Sequence, residues 1–375
     1  MGLKELLRSY VYPVATLSGS IIGVGFFALP YVAMKSGIWV MLAYFAAVTA
    51  IIVFLHIIFA EISLKTPDHK RFPGFAKFYF GRKGEAVALA VTILGIFGAL
   101  LAYLIVGGEF LTSILQPAFG GSNFVYTLAY FILAGIIIFL GIKTISKVEL
   151  WVLLILFLSI LFVFLNGLLK INAGNVLAIP SPYDVKNLLL PFGPLMFALW
   201  GIGLIPEVEE MLVGKKHLIK KVVIIATLIP AVFYVLFVLL VLSISGASTS
   251  DSALVGLKLF LGDGAIMAAL FAGVLSTFVA FVAQGFLLER TFIFDLGIKK
   301  WQAFSMAVLT PFILFLLGVK SFIPLVSVLG GFLIGISGIL VLMMYKKIGG
   351  KNIIIYPLSL VFAAGIIYQI FYILN

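Results

Sequence analysis

Apolar runs recur eleven times along this chain, at roughly 10–34, 38–64, 84–116, 124–142, 148–169, 187–213, 219–246, 262–290, 301–318, 321–345 and 353–374. Most reach the twenty or so residues that a helix needs to cross the hydrocarbon core of a bilayer. A backbone at that depth must satisfy its own N–H and C=O groups, and a helix does so within one segment. The linkers between runs are short, and no hydrophilic domain interrupts them. With 63% hydrophobic and 10% charged residues and a mean hydropathy of +1.28, a soluble globular domain is excluded. The sequence therefore predicts an all-α polytopic membrane protein with eleven transmembrane helices, forming one integral domain over residues 1–375. The first run is too long for the core of a cleavable signal, so none is expected. Cysteine is absent, which rules out disulfides, thiol catalysis and thiolate metal sites.

The formal net charge of +11 would point to nucleic acid in a soluble protein, but here its distribution decides otherwise. With the N-terminus placed in the cytoplasm, Lys4, Arg8, Lys143 and Lys147, the Lys65–Lys83 cluster, Lys215–Lys221, Arg290 to Lys300 and Lys346–Lys351 all fall on the inner side. Of the 25 lysines and arginines, Lys35, Lys170, Lys186, Lys258 and Lys320 alone fall outside. The positive-inside rule then predicts a multi-pass protein of the cell membrane with a cytoplasmic N-terminus and, after eleven spans, an external C-terminus. Nucleic acid is not needed to explain the basic charge.

Two of the runs have a composition that a continuous helix would avoid. Segment 1 contains GSIIGVGFFALP from Gly19 to Pro30, with Gly19, Gly23 and Gly25 ahead of the proline. Each glycine costs a helix about 1 kcal/mol relative to alanine. Taken alone, the Gly19/Gly23 spacing also suits close helix packing. Segment 6 repeats the pattern: FALWGIGLIPEVEEM places Gly201 and Gly203 near mid-depth, with Pro206 and the acids Glu207, Glu209 and Glu210 beyond. The two segments lie five apart, so they run in opposite directions through the membrane. Matching interruptions in two inverted halves are the sequence mark of a secondary-transporter binding site. The expected architecture is thus a 5+5 inverted repeat, about 10–170 and 187–345, with helices 1 and 6 broken at mid-membrane and an extra helix at about 353–374.

Other clusters carry less. In segment 8, Ser276 and Thr277 fit either a back-bond to their own helix or a hard-cation site. Glu109 in segment 3 and His56 in segment 2 are intramembrane ionisable residues and hence candidate proton carriers; Glu61 suits an interface-facing role better. The loop 65–84 mixes Arg71, Lys77 and Arg82 with Phe72, Phe75, Phe78, Tyr79 and Phe80, as an interfacial segment would. The loop 170–186 holds Pro180 and Pro182. His56, His69 and His217 are scattered without metal-ligand spacing, and no catalytic dyad is suggested, so an enzyme is not expected.

The strings GSIIGVGFFALPYVAMKSG and FALWGIGLIPEVEEM, the latter followed by a basic loop and a proline-bearing seventh segment, resemble the amino acid/auxin permeases and the related aromatic amino acid permeases of the amino acid-polyamine-organocation superfamily. The resemblance covers nearly the whole chain. It implies the fold of the bacterial leucine transporter and a site at the two breaks: Gly19, Ser20, Ile21, Gly23, Val24, Gly25 and Phe26 in segment 1, and Phe197, Ala198, Leu199, Trp200, Gly201 and Gly203 in segment 6. By the same resemblance, the amides of Val24 and Gly25 would hold a substrate carboxylate. The carbonyls of Ile21, Ala198 and Leu199 would hold its ammonium. A sodium site would use the carbonyls of Gly19 and Ile22 with Ser276 and Thr277. Some proton-coupled relatives carry a lysine in the fifth span, and here that segment has none. Phe26, Phe197 and Trp200 are candidates for the side-chain pocket and gate.

The expected function is alternating-access symport of a neutral amino acid, apolar or aromatic, driven by Na+ or H+, with no other cofactor. An amino acid sensor, or an exchanger without ion coupling, is the alternative.

Overall fold

A computed structural model describes residues 10–68, 70–141, 145–180, 184–212, 214–261 and 263–374. Lys4, Arg8, His69, Lys143 and Pro182 lie outside the described residues, as does the side chain of Lys147. Every described apolar segment is helical. Among the described residues, eight helices are long and apolar enough to cross a membrane, and nine when the bent pair in segment 1 is taken as one span; segments 5 and 9 contribute the shorter apolar helices Leu154–Lys170 and Lys300–Leu316.

Helix ends follow local chemistry. Proline, which lacks an N–H and suits a first turn, opens Leu29–Ser36, Phe72–Phe119 and Ile205–Met211. Gly141, in the left-handed region at φ 72°, closes Asn123–Leu140. The helix Phe72–Phe119 turns sharply at Gly81 (φ 64°), a conformation that side chains disfavour. The aromatic and basic stretch before that turn is a short separate helical piece. Phe75 packs edge-on against Phe59 of segment 2 at 5.2 Å, while Phe78 stays exposed and Lys77 pairs with Glu85 at 3.0 Å. The stretch thus sets one ring, Phe75, against the protein while Phe78 and Lys77 face outward.

The helices form two packed groups. Segment 7, Ile219–Ser245, contacts segments 1, 2 and 6. Segments 3, 4, 8 and 9 contact one another, and segment 5 lies on segment 8. Segment 10 bridges the groups, touching segments 2, 3 and 6, and its hydrophobic stretch is 72% buried, against 22% for segment 11. Segment 11 is therefore a peripheral addition packed on segment 10.

Segment 10 and the first half of segment 6 meet backbone to backbone. Gly330 faces the carbonyl of Gly193, and Gly193 faces that of Ser327, so closely that a methyl group on either glycine would collide with main chain. This contact lies on the side of the breaks away from the basic loops. A π-helical turn, Leu329–Leu333, accompanies it.

Candidate functional site: two broken helices

The first break opens where Gly23 takes an extended conformation (φ −115°, ψ −161°) after the helix Tyr12–Ile21. The chain resumes as a 3-10 helix, Val24–Ala28, then as Leu29–Ser36, and the two halves are bent by 49°. The last helical bond runs from the Ile22 N–H to Ser18 O at 3.1 Å, and the Gly23 N–H turns back to Ile21 O at 2.9 Å. Val24 and Gly25 begin the next helix, so their N–H groups have no carbonyl one turn back.

The second break follows Phe192–Leu199. Trp200 is extended (φ −71°, ψ 127°), Gly201 lies at φ −149° and ψ 13°, and the helix restarts through Ile202–Leu204 into Ile205–Met211. The breaks press on each other. A Cβ on Gly25 would stand 2.8 Å from a Phe197 ring carbon and 3.1 Å from Ala198 Cα. One on Gly201 would stand 2.6 Å from Ile21 Cγ1. Gly203 has open space around it and is exposed, as is Ser20.

Side chains from neighbouring helices satisfy the loosened backbone. The Tyr234 hydroxyl, fully buried on segment 7, lies 2.9 Å from Ile21 O and 3.1 Å from Ala198 O. Its one proton is shared between the carbonyl ends of both half-helices. Ile21 O thus has both lone pairs engaged, by Tyr234 and by the Gly23 N–H, so an incoming ammonium would have to displace one of them. His56 faces the second break, its Nε2 3.2 Å from the Gly201 nitrogen and its Nδ1 2.9 Å from Thr227 Oγ1. Ser18 ties segment 1 to segment 7 by donating to Ala226 O at 3.1 Å.

The expected site residues are thus only partly gathered. Gly19, Ser20, Ile21, Gly23, Val24 and Gly25 line one break, and Phe197, Ala198, Leu199, Trp200, Gly201 and Gly203 the other. Phe26 points elsewhere: it is fully buried, stacked on Tyr234 at 5.6 Å and edge-on to Phe237 at 5.0 Å, so it is core behind the break. Thr277 donates back to Gly273 O at 2.9 Å and lies beside Gly107 of segment 3, where a Cβ would come within 2.8 Å of its hydroxyl. Ser276 is the more accessible of the pair. Glu109 lies beside Ser252 and Asp251, in the segment that follows helix 7, and is not joined to His56. Asp251 itself is pushed up from the ordinary carboxylate range by burial, an effect that Lys35 and Tyr31 oppose.

Sequence reasoning missed Tyr103, Thr227 and Tyr234. A Cβ on Gly23 would meet the Tyr103 hydroxyl at 3.6 Å, so this phenol on segment 3 overlooks the first break. Each of the three is a lone hydroxyl side chain deep in an aliphatic run, and that was the available signal.

Two helices broken at facing positions inside a membrane-spanning bundle define an all-helical membrane protein with discontinuous helices, an architecture common among secondary transporters. The chain belongs to the tryptophan/tyrosine permease family, which it matches over residues 8–248. Two relatives from Haemophilus influenzae are each 26% identical: Tyrosine-specific transport system 1 over 223 residues (59% of this chain, 54% of the relative) and Tyrosine-specific transport system 2 over 233 residues (59% and 55%). The matches thus span about half the length of those proteins. Family and relatives are permeases rather than enzymes. Among solved structures, Mhp1, a nucleobase-cation-symport-1 transporter, shares the fold. Its inward-facing form has a TM-score of 0.67 at 15% identity, covering 96% of this chain and 88% of that one. Its closed form with bromovinylhydantoin bound scores 0.64 at 14%, covering 96% and 90%. MhsT in complex with L-phenylalanine scores 0.53 at 14% identity, covering 96% and 97%.

Proposed function

We propose that this protein is a secondary transporter of aromatic amino acids that binds its substrate at the two breaks. The observation that carries the reading is the mutual approach of the breaks at Gly25 and Ala198 and at Gly201 and Ile21. Main-chain amides and carbonyls collect there without any lysine or arginine. A zwitterion suits such a site: amides at the start of Val24–Ala28 attract the carboxylate, and carbonyls at the end of Phe192–Leu199 accept from the ammonium. Because Ile21 O already accepts two hydrogen bonds and Ala198 O one, the carbonyls of Ala198 and Leu199 are the better ammonium partners. Phe197 and Trp200 flank the side-chain space.

The finer architecture belongs to the same reading. It comprises eleven spans, a 5+5 inverted repeat with segment 11 added, membership of the amino acid-polyamine-organocation superfamily beside the amino acid/auxin permeases, and a cytoplasmic basic end in a plasma membrane. Ser20 and Gly203 are exposed, whereas Phe27, Leu29 and Val32 in the outer half of segment 1 are buried.

Coupling is by Na+ or H+. The hydroxyl oxygens of Ser276 and Thr277 would serve a sodium ion near Gly19 and Ile22, since the back-bond that Thr277 donates to Gly273 O leaves its oxygen lone pairs free. The test is uptake of labelled L-tyrosine, L-tryptophan and L-phenylalanine into proteoliposomes under a sodium or a proton gradient. Uptake driven by one gradient supports the reading and names the ion. Flux that depends only on internal amino acid would make the protein an exchanger, and absence of flux in every arm would overturn transport of these substrates.

A further inference from the structure

His56 lies in the middle of Ile38–Lys65 and is fully buried. Each of its ring nitrogens has one neighbour, and the chemistry of those neighbours settles which nitrogen carries the proton. The Gly201 backbone N–H can only donate, so Nε2, 3.2 Å away, must present a lone pair. On the other side Thr227 Oγ1 lies 2.9 Å from Nδ1 and 2.8 Å from Val223 O. A carbonyl can only accept, so the Thr227 hydroxyl proton is directed there, and the hydroxyl oxygen is left to accept from Nδ1–H. The chain of donors runs one way: Gly201 N–H to Nε2, Nδ1–H to Thr227 Oγ1, Thr227 O–H to Val223 O. It joins segments 6, 2 and 7.

Gly201 is where this chain meets the break. Its missing side chain lets the amide sit between Ile21 and the imidazole; a Cβ there would stand 3.5 Å from His56 Cε1. The Trp200 ring lies 6.4 Å from the imidazole. A buried amide left without an acceptor is costly, and helix 6, being broken here, cannot supply one.

We infer that His56 is a positioning residue for the substrate site: a neutral imidazole, fixed as the Nδ1–H tautomer by Thr227, whose Nε2 holds the Gly201 amide and so sets the course of the second break. The inference deepens the transport reading and rests on it for the consequence to binding, but the tautomer stands independently. It also removes His56 from the candidate proton carriers in this conformation, because a proton on Nε2 would set two N–H groups against each other.

The test has two readouts. The chain has three histidines, so a 15N-histidine NMR spectrum of the purified protein is simple, and the His56→Gln spectrum assigns the His56 signals. A pyrrole-type Nδ1 with a pyridine-type Nε2 is expected; an Nε2–H tautomer or an imidazolium would overturn the inference whatever the protein transports. The second readout is equilibrium binding of L-tyrosine and L-tryptophan to Thr227→Val, which keeps the shape of the side chain but removes the acceptor. Binding weaker by roughly tenfold is expected, with Thr227→Ser restoring it. Wild-type affinity together with an unchanged His56 tautomer in Thr227→Val would refute the positioning role. If the wild-type protein binds neither amino acid, the substrate assignment fails while the spectrum still decides the tautomer.

Discussion

The two breaks solve the same problem by different means. In segment 1 the chain turns back on itself: Gly23 becomes extended and its N–H folds back to Ile21 O at 2.9 Å. In segment 6 the turn leaves the Gly201 amide to an imidazole from another helix. Segment 7 serves both, through Tyr234 at the carbonyl ends and Thr227 behind the histidine. The first break is thus encoded mostly in its own residues, and the second mostly in its neighbours. Unwound backbone can persist in a membrane by either route, provided each freed group finds a partner.

Replacing Gly25 tests the self-made break most severely. Gly25→Val must push into Phe197 and Ala198, partly against main chain, so substrate binding should fall more than tenfold in an equilibrium assay. Tyr234→Phe tests the shared support. Ile21 O keeps the Gly23 N–H, but Ala198 O loses its hydroxyl partner, and a loss of about 1–3 kcal/mol should appear in thermal unfolding. A variant as stable as wild type would show that the bridge is dispensable. Gly201→Ala collides with the side chain of Ile21 and meets His56 Cε1 only at ordinary contact distance, so a loss of about 1 kcal/mol is expected. In a double-mutant cycle with Ile21→Ala, non-additivity would locate that clash, and simple additivity would deny it. The smallest effect is expected at the proposed ion site: if sodium is the coupling ion, Ser276→Ala and Thr277→Val should each weaken sodium dependence, and unchanged dependence in both would place the ion elsewhere.

The difference between the breaks also explains what could be read from the sequence. Glycine and proline announce where a helix weakens, so Gly23, Gly25, Gly201 and Gly203 marked both sites, and apolar length marked the membrane segments. Partners across the bundle have no such local sign. Tyr234 lies 213 positions from Ile21, and Thr227 lies 171 from His56; nothing in either neighbourhood reveals the pairing. Phe26 illustrates the opposite error. An aromatic beside a break is as well placed to fill the space behind it as to line the site, and the orientation is set by Phe233, Tyr234 and Phe237 on segment 7. For Ser276 and Thr277, adjacency in sequence put the two hydroxyls on different sides of one helix, as a turn of about 100° per residue requires.

Equilibrium binding of labelled L-tyrosine tests the central claim most directly, comparing the wild-type protein with Gly25→Val and with Gly95→Ala, a helical glycine that has open space around it. The account predicts saturable binding to the wild type and to Gly95→Ala, and its loss in Gly25→Val. Undiminished binding by a folded Gly25→Val protein would contradict a substrate site built from the facing breaks.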